Sequence, residues 1–152
     1  MKQTSLQGIA NKATQDKTYR FRNLFGMLTI SYLFWCWDFI NRKAIAGVDG
    51  IDAQAYEENL LPNIEQLVKQ VKENTYRAKL ILRKYIPKMD GTLRPLGIPV
   101  IADKLLQRGV AKILEAIYEQ DFLTCSYGYR PRIGALKAVK DLSSELRSGK
   151  YH

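Results

Sequence analysis

The spacing of apolar positions changes along the chain, and each change predicts an element. Residues 21–40 are dense in Leu, Phe, Trp and Ile on more than one helical face, which predicts a helix that is buried or docked against something. Ile64, Leu67, Val68 and Val71 then repeat at i, i+3, i+4 and i+7, an amphipathic helix whose stripe belongs to the core. Asp52 is placed to cap a helix leading into this one. Pro62 is expected to divide the two, because a proline inside a helix costs about 3 kcal/mol. Residues 80–87 and 92–99 read as short extended arms around Met89-Asp90-Gly91-Thr92, and Asp-Gly between apolar runs is a strong hairpin signal. Helical spacing returns over residues 101–119, where Leu106, Val110, Ile113, Leu114 and Ile117 form the expected apolar stripe. A last helix is predicted over about residues 134–147. The resulting class is α+β, mostly helical, with a β-hairpin projecting from a helical base.

Pro87, Pro95 and Pro99 confine the arms to edge or irregular pairing, since proline donates no ladder hydrogen bond. Lys88 stands at the mouth of the turn and Arg94 just beyond it. Register decides whether they share a face. A bulged loop of Asp90, Gly91 and Thr92 sets Lys88 opposite Arg94, whereas a tight Asp-Gly turn puts the two on opposite faces. Held together, a lysine and an arginine can grip a polyphosphate, one as a point charge and one as a planar fork. The plain alternative is a solvated hairpin whose cations serve solubility.

Charge favours the first reading. Between Tyr76 and Lys112 nine cations face only Asp90 and Asp103, leaving +7 of the chain's net +9, while the flanking segments are close to balanced. A positive balance concentrated in one stretch is the footprint of a nucleic-acid or polyphosphate partner. Arg108 and Lys112, four residues apart, share a helix face whose like charges are better tolerated beside an anion. Further on, Ser126-Tyr127-Gly128-Tyr129-Arg130-Pro131 reads as a loop. Its tyrosines and arginine suit stacking on bases and contact with phosphates, or else the tyrosines anchor the loop by their hydroxyls.

Bulk properties exclude several classes. A chain of 152 residues with 46% hydrophobic and 26% charged residues can bury a core and is not a disordered segment. Cys36, Cys125 and His152 are too few for a Cys/His zinc site or a disulfide scaffold, and both thiols are expected to be reduced. The amino terminus has no secretory pattern. The uncharged run over residues 23–37 falls short of the about 20 apolar residues a spanning helix needs, so a soluble, cytoplasmic protein is expected, with no membrane partner.

Lys88 to Pro99 resembles the fingers hairpin of bacterial group II intron reverse transcriptases, the maturases. Gly47-Val48-Asp49-Gly50 precedes it and Asp103-Lys104-Leu105-Leu106-Gln107 follows it, with Ser126 to Pro131 closing the set in the same order. The resemblance covers roughly residues 21–142, and it implies that residues 1–20 form an extension and residues 21–152 a fingers region. It also implies roles. Lys88 and Arg94 would neutralise the triphosphate of an incoming nucleotide. Arg83, Lys84, Gln107 and Arg108 would contact the template, and Tyr127, Gly128, Tyr129, Arg130 and Pro131 would support the templating base or strand. Arg132-Ile133-Gly134-Ala135 departs from the Gly-Arg-Ser-like run common at that point in the family. The same architecture also serves retron-type and CRISPR-associated enzymes.

A polymerase of this type joins a nucleotide to a primer with two metal ions held by carboxylates about 3.5–4 Å apart. The resemblance implies that those carboxylates, with their Mg2+, belong to a palm expected to begin about where Gly149-Lys150-Tyr151-His152 stands. Asp121 and Asp141 have no partner carboxylate at suitable spacing, so no catalytic or metal-binding residue is assigned and the chain alone is not expected to polymerise. The implied partners are template and intron RNA, nucleotide and DNA primer, and the remainder of the enzyme. The aromatic-rich segment near Trp35 is a candidate dimer surface. The competing reading is a self-contained, non-catalytic RNA-binding module.

Overall fold

In the computed structural model, residues 5–149 are described. They divide into two compact units, Phe21–Ile113 and a second that joins the described residues up to Arg20 with those from Leu114 onward. The class is α+β and mostly helical: among the described residues there are six α-helices and one two-stranded antiparallel sheet.

The first unit opens with a short 3-10 turn at Leu24–Met27 and then α2, Ile30–Trp37. The single helix expected over residues 21–40 is therefore broken. Asn23 takes a left-handed conformation (φ 56°), and Thr29 restarts the chain as a cap, its hydroxyl accepting the Tyr32 N–H. α2 buries Leu33, Cys36 and Trp37 and leaves Phe34 and Trp35 largely exposed. Trp37 stacks on Tyr56 at 5.5 Å between ring centroids and donates its indole N–H to Glu57.

Asp52 caps α3, Ala53–Glu57, by accepting the Ala55 N–H at 2.9 Å. The chain breaks before Pro62, which sits in the first turn of α4, Leu60–Lys72, where its missing N–H has no helical partner to lose. The predicted stripe Ile64, Leu67, Val68 and Val71 is buried, and α2 packs against α4.

The next helix, α5, runs Ile101–Tyr118, and here the predicted stripe holds at Ile113 but is otherwise shifted in phase. The buried positions are Ile101, Leu105, Gly109 and Ile113, with Asp103 beside them, while Val110 and Leu114 are about 40% exposed. Gly109 is the reason. A Cβ there would lie 2.8 Å from a Leu33 methyl, and the Gly109 carbonyl accepts the Tyr32 hydroxyl at 2.9 Å. Close approach to α2 thus turns the glycine edge of α5 inward, which a count of apolar side chains cannot register.

The second unit holds α1, Leu6–Gln15, the end of α5 from Leu114, and α6, Ala135–Ser148. Ile9 and Ala13 are its buried apolar residues on α1. Thr14 and Lys17 tie α1 to Gln120 and Asp121, the latter by a 3.0 Å ion pair. Residues 150–152, where the first palm strand was expected to begin, lie outside the described residues. No described helix is long and apolar enough to cross a membrane.

Candidate nucleic-acid interface

The hairpin is built from β1, Leu82–Pro87, and β2, Leu93–Ile98, paired from Leu82 opposite Ile98 to Pro87 opposite Leu93. Its turn follows neither sequence alternative. The Lys88 N–H donates to the Thr92 carbonyl at 2.7 Å and the Gly91 N–H to the Lys88 carbonyl at 3.1 Å, so the loop is Met89, Asp90 and Gly91. Gly91 occupies the left-handed position (φ 78°) that closes such a three-residue loop. Asp90 fixes the turn by accepting both the backbone N–H and the hydroxyl of Thr92 at 2.9 and 2.7 Å, and these bonds lower its pKa.

Lys88 therefore stands opposite Thr92 rather than Arg94, and Arg94 stands opposite Ile86. Because side chains alternate between faces, Lys88 and Arg94 still share one face as diagonal neighbours, about 7–8 Å apart at their origins. Lys84, opposite Leu96, lies on the same face. Arg83, opposite Gly97, lies on the other, which also carries Tyr85, Pro87, Leu93 and Pro95. The paired template role expected of Arg83 and Lys84 is thus split between two surfaces. All four cations are exposed, and among the described residues no carboxylate pairs with Arg83, Lys84, Lys88 or Arg94.

The rest of the basic stretch is partly spoken for. Lys79 pairs with Asp49 at 3.2 Å, and the Lys104 ammonium donates to the Ile45 carbonyl at 2.9 Å. Lys112 lies over the Phe39 ring. Asp103, which sequence reading counted as a charge and as the first residue of a motif but gave no role, is 4% exposed and fastens the approach to the hairpin. It accepts the Tyr76 hydroxyl and, at 3.3 Å, the Lys79 N–H. Burial first, and the bond to Asp103 second, push the Tyr76 pKa well up. A buried acid in a basic run was the available signal. Gln107 and Arg108 line a cleft of about 340 Å³ with Lys104, Asn41 and Phe39. A larger cavity in this unit, about 740 Å³ beside Tyr56, Tyr76 and Lys79, contains none of the predicted site residues.

Residues 126–131 belong to the other unit and behave differently. The Arg130 side chain is only 10% exposed. Its guanidinium donates to Glu119 through two nitrogens at 3.2 and 3.1 Å, and to the carbonyls of Leu123 and Ser126 at 3.0 and 2.9 Å. It also packs over the Phe122 ring. The Tyr127 hydroxyl donates to Asp141 at 2.7 Å, which raises the tyrosine pKa. Arg130 and Tyr127, expected to face template, thus hold their own loop together. Tyr129 alone of these large side chains is fully exposed, on a left-handed residue (φ 57°), while Gly128 and Pro131 shape the turns around it.

Among the described residues no three His, Cys, Asp or Glu side chains are grouped to hold a metal ion.

No family model matches the chain. Protein YkfC of Escherichia coli (strain K12) is 36% identical over 100 residues, which are 66% of this chain and 26% of that protein. The group II intron-encoded protein LtrA of Lactococcus lactis subsp. cremoris is 37% identical over 89 residues, 58% of this chain and 15% of LtrA. The putative COX1/OXI3 intron 2 protein of Saccharomyces cerevisiae is 32% identical over 76 residues, half of this chain and 9% of that protein. The chain is homologous to group II intron-encoded proteins, the family its ordered motifs resemble. It spans about a quarter of the length of YkfC and less of the intron proteins.

Proposed function

We propose that this chain is the amino-terminal, substrate-binding fingers portion of an RNA-directed DNA polymerase of the group II intron type. Its hairpin binds the triphosphate of the incoming nucleotide through Lys88 and Arg94. The basic surface around Arg83, Gln107 and Arg108 binds template and intron RNA, and Tyr129 is available to stack on a base. Two Mg2+ ions on palm carboxylates outside the described residues would supply the phosphoryl-transfer chemistry. These residues alone do not polymerise.

One observation carries the reading: Lys88 and Arg94 share a hairpin face, exposed and unpaired with any carboxylate of the described residues. The homology to intron-encoded proteins supports RNA as the nucleic acid. The reading is tested with Arg94→Ala in a polypeptide that carries this region together with a palm. A raised nucleotide KM or a lowered turnover is expected, and unchanged kinetics would remove the triphosphate role. RNA binding by the chain itself should weaken steeply as salt rises, because cations on phosphates release counterions. An affinity indifferent to salt would exclude the basic surface as the contact.

A further inference from the structure

The hairpin register places a third cation where the two-residue grip leaves room. Lys84 lies on β1 and Lys88 one residue past its end, where its N–H still pairs with Thr92; four residues apart in extended chain, they project from the same face, with origins about 13 Å apart at the rise of an antiparallel strand. Ile86 lies midway between them, and Arg94 is its cross-strand partner. Arg94 is therefore the diagonal neighbour of both lysines, at about 7–8 Å from each. The three cations form a triangle, with the planar fork at the centre and a flexible ammonium on either side.

Nothing on the ribbon answers this charge. The one carboxylate of the hairpin, Asp90, is engaged with Thr92 in the turn. Like charges placed together on one sheet face repel and loosen it unless an anion sits among them. Lys79, on the approach to the hairpin, shows what the chain does when a lysine is structural: it is given Asp49 at 3.2 Å. Lys84, Lys88 and Arg94 receive no such partner among the described residues. Arg83, next to Lys84 in sequence, is carried to the opposite face, beside Tyr85 and Pro95, and cannot join the triangle.

We propose that Lys84, Lys88 and Arg94 together form one site for a linear polyphosphate, with Lys84 a third phosphate-binding residue rather than a template contact. The inference rests on the nucleotide-binding reading above and adds to it a residue and a geometry. A chain of three phosphates spans the triangle along the strand direction, its centre on the bidentate arginine and each end on a lysine. A single phosphate can satisfy only part of it. The site therefore discriminates by phosphate-chain length.

The test uses the full 152-residue chain, titrated at low ionic strength with sodium tripolyphosphate, pyrophosphate and phosphate while the lysine side-chain resonances are followed by NMR. Tripolyphosphate should bind several-fold more tightly than pyrophosphate. Lys84→Gln should weaken it as much as Lys88→Gln, by about fivefold to tenfold, the loss of one charge-assisted contact. Lys84→Arg should restore it, and Arg83→Gln should change it less than twofold. The double variant Lys84→Gln/Tyr85→Lys keeps the net charge but moves it to the other face, and it should remain weak. If Lys84→Gln behaves like Arg83→Gln while Lys88→Gln and Arg94→Gln lose affinity, the third residue is wrong and the nucleotide reading stands. Equal losses for all four single Gln variants, or recovery in the double variant, would mean that bulk charge alone is felt, and the triangle falls. No binding of any polyphosphate would overturn both readings.

Discussion

The hairpin and the loop at residues 126–131 look alike in sequence: both join arginine, proline, glycine and an aromatic in a short irregular stretch, and both invite a nucleic-acid reading. In the structure they part. Arg94 is exposed on a ribbon face and pairs with no carboxylate among the described residues, whereas Arg130 is sunk to 10% exposure against Glu119, two carbonyls and Phe122. The difference is where the nearest carboxylate arrives. Glu119, eleven residues before Arg130, is brought to it by the turns that follow α5, while the ribbon's Asp90 is consumed by its own turn. An arginine's role is thus fixed by whether the fold neutralises it.

The comparison can be broken most directly by Arg130→Ala. Removing one partner of a largely buried, multiply bonded pair should destabilise the unit by about 3 kcal/mol, read by urea or thermal unfolding. Lys88→Ala should stay within about 0.5 kcal/mol, as for an exposed residue without partners. Equal losses would erase the distinction. Gly91→Ala comes next. A side chain at the left-handed position costs about 1 kcal/mol, which should speed hydrogen exchange at the hairpin amides about fivefold and leave the other unit untouched.

On the binding side, Arg83→Ala should reduce the salt slope of RNA binding by about 1, whereas Tyr127→Phe should leave the slope unchanged and lower stability slightly through the lost bond to Asp141. A changed slope in Tyr127→Phe would return that tyrosine to the interface. The smallest effect is in acid. The Thr92 hydroxyl and N–H hold the Asp90 pKa below that of the unfolded chain. The turn's extra stability is therefore complete above pH about 4 and is lost as pH falls through the lowered value. Thr92→Val should bring Asp90 back toward the ordinary carboxylate range in an NMR titration.

Local rules were legible wherever a side chain acts on its own neighbours. Asp52 as a cap, the stripe from Ile64 to Val71, and a hairpin turning on Asp90 and Gly91 all follow from propensity and period. Three features were not legible in the same way. Apart from Ile113, the α5 stripe was read one step out of phase because Gly109 contributes by having no side chain, and only the approach of Leu33 reveals that. The hairpin register was open because Asp-Gly supports more than one loop length. The fate of Arg130 depended on an acid that sequence distance alone does not place.

The sequence by itself determined most of the elements, though not the break within residues 21–40, together with the concentration of positive charge between Tyr76 and Lys112 and the homology to intron-encoded proteins. Only the tertiary structure decided which cations are left free. It pairs Lys79 with Asp49 and Arg130 with Glu119, and through a three-residue loop it sets Lys84, Lys88 and Arg94 on one face with Arg83 behind them. Charge is written residue by residue, but its neutralisation is a relation between positions that folding alone brings within reach.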